Sequence, residues 1–321
     1  MSNPLVSILI PMYNSSDHIE ETLKSCLDQM YENIEIIVVD DGSKDNSVQI
    51  VEQIIQKSDT DNIKILTQKN KGACAARNLA LENSLGDYIQ FLDADDVLSA
   101  NKISSQIQLD PKNNPENLLF CRWVRFANDI THTTQANHTI FKSYKDSTGW
   151  LIDSWMGKGA AQTACWLVHK DTIKKAGLWD ENLKKNQDGD FFARVILASK
   201  RIVFSEQSIV YYRASGNTSI SSSMGYEYCL SSLSSLMNYE QYTSHIRNPD
   251  INRALACNYS HFYRLYYPLY PDLLKKAKDQ VNKLGYKSFI ISPKWKLALL
   301  AKAIGFKNAV FIEYLIRQLL K

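Results

Sequence analysis

Four times in the first hundred residues the chain switches between a short β-branched run and a stretch with a three- to four-residue apolar period. Such alternation restricts a chain to strands joined by crossover helices, and so to a largely parallel sheet. VSILIP (6 to 11) reads as the first strand. Ile19, Leu23, Cys26, Leu27 and Met30 then recur at helical spacing behind Ser15, Ser16 and Asp17, which predicts a helix over 17 to 30. IEIIVVDD is the second strand, residues 46 to 57 a helix through Val48, Val51, Ile54 and Ile55, and IKILT the third strand. Ala73 to Asn83 forms a third helix, and DYIQFLD a fourth strand.

Beyond residue 100 the alternation weakens. A polar stretch from Asn128 to Lys145 reads as loop, TACWLVH (163 to 169) as a strand, the segment from Asp188 as a helix, and IVYYR as another strand. From Met224 the pattern is helical. The expected organisation is an α/β domain over 1 to 223, divided into halves at 1 to 100 and 101 to 223, and a helical region over 224 to 321.

A net charge of +3 is too small to favour nucleic acid as a partner, but its distribution is uneven. Residues 286 to 321 hold seven Lys or Arg against Glu313 alone, so this tail carries +6 and the remaining 285 residues −3. The tail interleaves those cations with Trp, Leu, Phe and Ile at helical spacing, as expected of helices in the interface of an anionic membrane. Its alternative is a pair of helices packed on the protein's own C-terminal region with lysines in water. The six cysteines are scattered singly with no Cys-x-x-Cys pair, which predicts reduced core thiols and a cytoplasmic location, peripheral to the membrane if the tail binds lipid. The N-terminal apolar run is short and broken by Pro11, so neither a signal peptide nor an anchor is expected, and no window reaches the length of a spanning helix.

Ligands of parallel α/β sheets bind beyond the carboxyl ends of the strands. Strand one ends in Pro11, Met12, Tyr13 and Asn14; strand two in Asp40, Asp41, Gly42 and Ser43; strand four in Asp93, Asp95 and Asp96. The third helix opens with NKGACAARN, where Gly72 permits a tight entry and Arg77 follows about a turn and a half on. An aromatic plate, a carboxylate and an arginine at neighbouring strand ends suit a nucleobase, although Asp-Asp-Gly-Ser alone is equally a turn and helix cap. Crowded carboxylates repel unless they hold a cation, and hard oxygen donors suit Mg2+ or Mn2+. Asp96 is expected to cap the following helix. Trp166 and Trp179 are candidates for a sugar-stacking platform or for core, and Arg213 for a diphosphate contact.

VSILIPMYN, IIVVDDGSKDNS, NKGACAARN and FLDADD, in this order over residues 5 to about 100, resemble the nucleotide-binding half of family-2 glycosyltransferases with the GT-A fold. The resemblance implies a Rossmann-like sheet flanked by helices, with Pro11, Tyr13 and Asp41 lining a uracil site, Arg77 nearby, Asp93 toward the ribose and Asp95 on a divalent metal. NQDGDFFARV resembles the family's Glu-Asp position, with Gln187 in place of Glu and Asp188 where the catalytic base belongs; Asp190 competes for that role, and either could be a helix cap. The activity so implied is metal-dependent, inverting transfer from a nucleotide sugar, UDP-linked, to a glycan or lipid-linked acceptor of bacterial surface polysaccharide. Two alternatives stand beside it. One is a non-catalytic nucleotide-sugar-binding module that docks on membranes. The other is a nucleotidyltransferase, which expects a glycine-rich loop where this chain has PMYNSSDH.

Overall fold

The computed structural model describes residues 3–58, 61–135, 138–214, 223–286, 289 and 295–319. They divide into two compact units interleaved along the chain: 1–148, 161–181 and 194–216 in one, 149–160, 182–193 and 217–321 in the other. Compactness therefore groups 149–160 and 182–193, which the sequence places in the second half of the α/β domain, with the C-terminal helices.

The first unit is built on a mixed sheet. Strands β1 (Val6–Met12), β2 (Ile34–Asp40), β3 (Ile63–Thr67) and β4 (Tyr88–Phe91) pair in parallel in the order β3-β2-β1-β4. β1 and β2 are buried along almost their whole length, as expected of strands covered on both faces. Helices α1 (Ile19–Leu27), α2 (Ser47–Lys57) and α3 (Ala73–Glu82) make the crossovers. α1 is shorter than the spacing predicts. Residues 15 to 18 close a turn first, with the His18 N–H donating to the Ser15 carbonyl, and Met30 lies past the helix end, 71% exposed. Its apolar character belongs to no core face.

After β4 the sheet is mixed, with β8 antiparallel to β4 and β6, and β5 antiparallel to β9. β5 (Val97–Leu98) and β6 (Asn117–Phe126) frame helix α4 (Lys102–Ile107), and β7 (Thr134–Gln135) is a short pairing on β6 inside the predicted loop. Thr163–Cys165 is a single 3-10 turn, so β8 starts only at Trp166 and ends at His169; helix α6 (Lys170–Ala176) follows it, and α5 (Ser147–Asp153) precedes it. β9 (Arg201–Arg213) runs parallel to β6 with a register break opposite Cys121 and Arg122. The sheet order is β3-β2-β1-β4-β8-β6-β9-β5. All six cysteines are buried and form no disulfide among the described residues.

Helix α7 (Gln187–Ala198) begins in the second unit and ends in the first. The second unit continues through α8 (Tyr226–Thr243), α9 (Pro249–Tyr266), α10 (Pro271–Lys283), α11 (Trp295–Ile304) and α12 (Phe306–Leu319). α9 starts where it does because Pro249 occupies its first position and the Asn248 side chain accepts the Asp250 N–H at 2.9 Å.

Candidate active site

The strand ends of the first unit assemble the predicted residues from β1, β2 and β4. Tyr13 follows β1 and is 48% exposed, while Pro11 is half-buried within the strand. The turn that presents Tyr13 is fixed by Asn14, whose backbone is left-handed (φ 49°), whose N–H donates to Ser43 Oγ at 2.9 Å and whose Oδ1 accepts from Lys44 N–H at 2.8 Å. The two aspartates after β2 divide their work. Asp40 turns back on its own loop and accepts the N–H groups of Gly42 and Ser43. Asp41 braces the next loop: Oδ1 accepts from Gln68 Nε2 (2.7 Å) and Lys71 N–H (2.8 Å), and Oδ2 from Gly72 N–H (2.8 Å). A carboxylate offers about four acceptor positions. Three are used here, which leaves room for one further donor.

Arg77, on the buried face of α3, reaches Asp93 with Nη2 2.6 Å from Oδ1, and its guanidinium lies 4.5 Å over the Trp179 ring. Its Nε is buried without a partner. Asp95 is half-buried, and its carboxyl is pushed up first by burial and then by the charge of Asp93, against opposing pulls from His18 and Arg213. Among the described residues no three His, Cys, Asp or Glu side chains cluster as a protein-only metal cage. A hard cation that keeps waters and substrate phosphates as ligands needs only one or two carboxylates. Asp95 fits that requirement, because a nearby cation relieves both influences that raise its proton affinity.

Asp96 is not a helix cap. No helix begins behind it; α4 starts six residues later under Asn101. Its side chain is buried, accepts the Arg213 N–H at 2.9 Å, and is held well above the usual carboxylate range by desolvation and by its two aspartate neighbours. Arg213 is likewise turned inward. Nε donates to the Asp95 carbonyl (2.8 Å), Nη1 to the Ala127 carbonyl (3.0 Å) and Nη2 to the Glu21 carboxylate, while the guanidinium covers Phe126 at 4.3 Å. It fixes the aspartate loop rather than reaching for a ligand. Thr22 Oγ1 pins the same loop through the carbonyls of Ala94 and Asp96. Trp166 and Trp179 are each 2% exposed; the first stacks on Phe120 at 4.5 Å and the second meets Phe91 edge-on at 5.2 Å, so both are core.

In the second unit, the start of α7 separates its two aspartates. Asp190 is fully buried and accepts from Asn238 Nδ2 (2.9 Å) and Tyr242 Oη (3.1 Å) on α8. Asp188 sits in the first turn and remains partly open to solvent. Around it the backbone is clamped. Asn186 is left-handed (φ 60°) and donates to Ser235 Oγ (2.6 Å) and Tyr239 Oη (2.8 Å), and Gln187 Nε2 donates to the Leu183 carbonyl at 2.6 Å. Gly189 has no alternative, since a Cβ there would stand 2.2 Å from Tyr239 Oη and 2.4 Å from Asn186 Oδ1.

The model of "Glycosyl transferase family 2" matches residues 7–171, just over half of the chain. The chain belongs to this family. Among curated relatives, an "Uncharacterized glycosyltransferase" of Haemophilus influenzae is 42% identical over 114 residues, 36% of this chain and 45% of that protein. The "Putative teichuronic acid biosynthesis glycosyltransferase TuaG" of Bacillus subtilis is 42% identical over 105 residues, 33% of this chain and 41% of its own length. The matched part thus spans less than half of these two relatives. Among solved structures, S. aureus TarS 1-349 in complex with UDP-GlcNAc superposes with a TM-score of 0.69 at 19% identity, covering 98% of this chain and 92% of that one, which establishes the GT-A fold.

In this family-2 chain the residues that sequence reasoning missed are supporting ones. Gln68 lies one residue past β3, and the strand-end rule that found Tyr13 and Asp41 applies to it equally. Thr22 and Glu21 face the aspartate loop from α1, and a helix-periodicity reading treats them only as half-buried polar positions. Nothing local to either announces a partner 72 or 192 residues away.

Proposed function

We propose that this family-2 chain is an inverting glycosyltransferase that moves a sugar from a UDP-linked donor to a hydroxyl of a bacterial surface glycan or lipid-linked acceptor. The observation that supports the donor half is that Tyr13, Asp41 and Asp93 follow the ends of the neighbouring strands β1, β2 and β4, with Arg77 of α3 paired to Asp93. Tyr13 offers an exposed ring for the base, Asp41 has one acceptor position left for a base N–H, and Asp93, steadied by Arg77, takes the ribose hydroxyls. Asp95 would hold Mg2+ or Mn2+, and the cation would supply Lewis-acid stabilisation of the departing diphosphate. The TuaG and TarS names support a surface-polysaccharide setting and a UDP-linked donor.

Asp188 is the base. It is ionisable, open to solvent and held in the first turn of a helix, whose N-terminal dipole favours its anionic, proton-accepting form. It accepts the proton of the acceptor hydroxyl as that oxygen attacks the anomeric carbon from the face opposite the leaving diphosphate. Asp190 has the wrong surroundings for this, being buried and already bonded to Asn238 and Tyr242.

The protein works at the inner face of the plasma membrane, attached peripherally. Among the described residues no helix is long and apolar enough to cross a membrane. Instead Phe311, Ile312, Leu315, Ile316 and Leu319 form an exposed apolar stripe on α12.

The test is a donor-hydrolysis screen across UDP-, GDP- and dTDP-sugars with Mn2+ or Mg2+ present or chelated. Turnover of a UDP-sugar is expected to stop on chelation and in Asp95→Ala. In Asp188→Asn it should fall by about 10^2-fold or more, the range for losing a general base, while UDP binding persists. Turnover indifferent to both substitutions would sink the mechanism.

A further inference from the structure

Among the described residues Trp123, Trp150, Trp166 and Trp179 are at most 6% exposed. Trp155 is the exception. It sits in a wide π-helical turn, Ser154–Lys158, that continues α5, and it keeps part of its surface in solvent. Wide turns of this kind interrupt a helix at a cost in backbone geometry and recur at functional sites. This one is closed deliberately. Gly157 takes a left-handed backbone (φ 79°) that other residues resist, Ser154 Oγ donates to the Gly159 carbonyl at 3.0 Å, and Lys158 Nζ reaches Asp153 Oδ1 at 2.6 Å across the turn.

What the turn presents is set by Tyr239. The Trp155 and Tyr239 rings stack with centroids 4.9 Å apart and planes 13° from parallel, so one indole face is backed by a buried ring. The hydroxyl of that same Tyr239 accepts from Asn186 and fills the space over Gly189, the residue next to Asp188. Proximity is also electrostatic, because the Asp188 charge is among the causes that push the Tyr239 phenol upward. Trp155 and Asp188 are thus held to one buried tyrosine, from two segments of the same compact unit.

We propose that Trp155 is the platform for the acceptor sugar, stacking on the apolar C–H face of a pyranose whose hydroxyl is delivered to Asp188. A pyranose has an apolar face and a rim of hydroxyls. An indole backed by Tyr239, in the turn that the Asp153–Lys158 pair closes and joined through that tyrosine to the helix start that carries Asp188, meets both. The proposal rests on the glycosyltransferase reading and adds the position and chemical class of its acceptor subsite.

The test is saturation-transfer NMR on the full chain with UDP and metal present. Methyl glycosides of glucose, galactose and their N-acetylamino analogues, with the corresponding disaccharides, serve as probes. At least one probe is expected to receive saturation at its ring C–H protons in the wild type. The signal should fall at least severalfold in Trp155→Ala and Trp155→Leu and return in part in Trp155→Phe, with far-UV circular dichroism reporting that the helical second unit of each variant is folded and UDP calorimetry that its first unit is. Should Trp155→Ala unfold, Trp155→Leu, which still packs against Tyr239, carries the comparison. Equal signals in wild type and Trp155→Leu, or a wild type that binds UDP and no probe, would overturn the platform. A wild type that fails to bind UDP overturns the donor reading instead.

Discussion

Asp188 and Asp190 lie one helical turn or less apart and have opposite surroundings, so a single substitution at each separates stability from chemistry. Asp190→Ala takes their acceptor from the half-buried Asn238 Nδ2 and Tyr242 Oη and empties a fully buried position, and a loss of about 1–3 kcal/mol in urea unfolding is expected. Asp188→Asn keeps the size of a partly exposed side chain, and its unfolding free energy should fall by less than that of Asp190→Ala. Reversed results would exchange their roles. Lys102 is a second informative residue. It is fully buried beside Cys121 and Cys165 with Nζ on Gln90 Oε1, and desolvation lowers it from 10.5 to about 8. Between those values the unfolded chain binds the proton and the folded one releases it, so this group makes stability rise with pH from about 8 to 10.5. At about 1.4 kcal/mol per pKa unit the rise amounts to a few kcal/mol. Lys102→Met should flatten the slope of urea stability between pH 8 and 10, and an unchanged slope would show that the ammonium is compensated in place.

At the scale of elements, the entry to α7 is the tightest construction in the second unit. Asn186 in its left-handed conformation, Gly189 without a side chain and Tyr239 from α8 occupy one another's space. Gly189→Ala must displace either the Asn186 amide or the Tyr239 hydroxyl. The expected result is a drop of about 1–3 kcal/mol in thermal or urea stability, as for other overpacked sites, together with lost transfer activity. A crystal structure of the variant with α7 and α8 unmoved would count against the account. In the first unit, the loop after β4 is held by Thr22 from α1 and Arg213 from β9, while Arg77 from α3 holds the Asp93 side chain. That convergence lets three neighbouring carboxylates persist without being capped or paired locally.

For the whole molecule the informative feature is the two-sided character of α12. Ala309 and Val310 are buried and Glu313 pairs with Arg264 of α9 at 2.7 Å, so one face packs on the protein as the simpler sequence reading expects. The opposite face carries Phe311, Ile312, Leu315, Ile316 and Leu319, between 37% and 85% exposed. The chain is expected to float with liposomes containing anionic lipid, and less so as salt rises because part of the attraction is charge. Leu315→Glu with Ile316→Glu should abolish flotation without altering UDP binding. Flotation equal in the variant, or none in the wild type, would leave α12 with no lipid-facing role.

Sequence alone determined the parallel half of the sheet almost residue by residue, because β2, β3 and α2 follow local periodicity and their ends are marked by Asp, Gly and Asn. It also placed Tyr13, Asp41, Asp93 and Asp95 beyond the ends of β1, β2 and β4, since neighbouring strands of a parallel sheet end side by side whatever their separation along the chain. It missed β6, where Arg122 and Arg125 interrupt the apolar residues and blur the period of two, it misread Asp96, and it left Arg213, Trp166 and Trp179 between a role in the site and one in the core. Each of those depends on a partner distant in sequence: Asp96 on Arg213, 117 residues on, Trp166 on Phe120, and Trp179 on Arg77 and Phe91. The distinction between Asp188 and Asp190 was likewise open until α8 placed Asn238 and Tyr242 against the buried Asp190. Periodicity is a property of neighbours and can be read from them. Burial and pairing are decided by which elements meet, and only the tertiary structure brings those elements together.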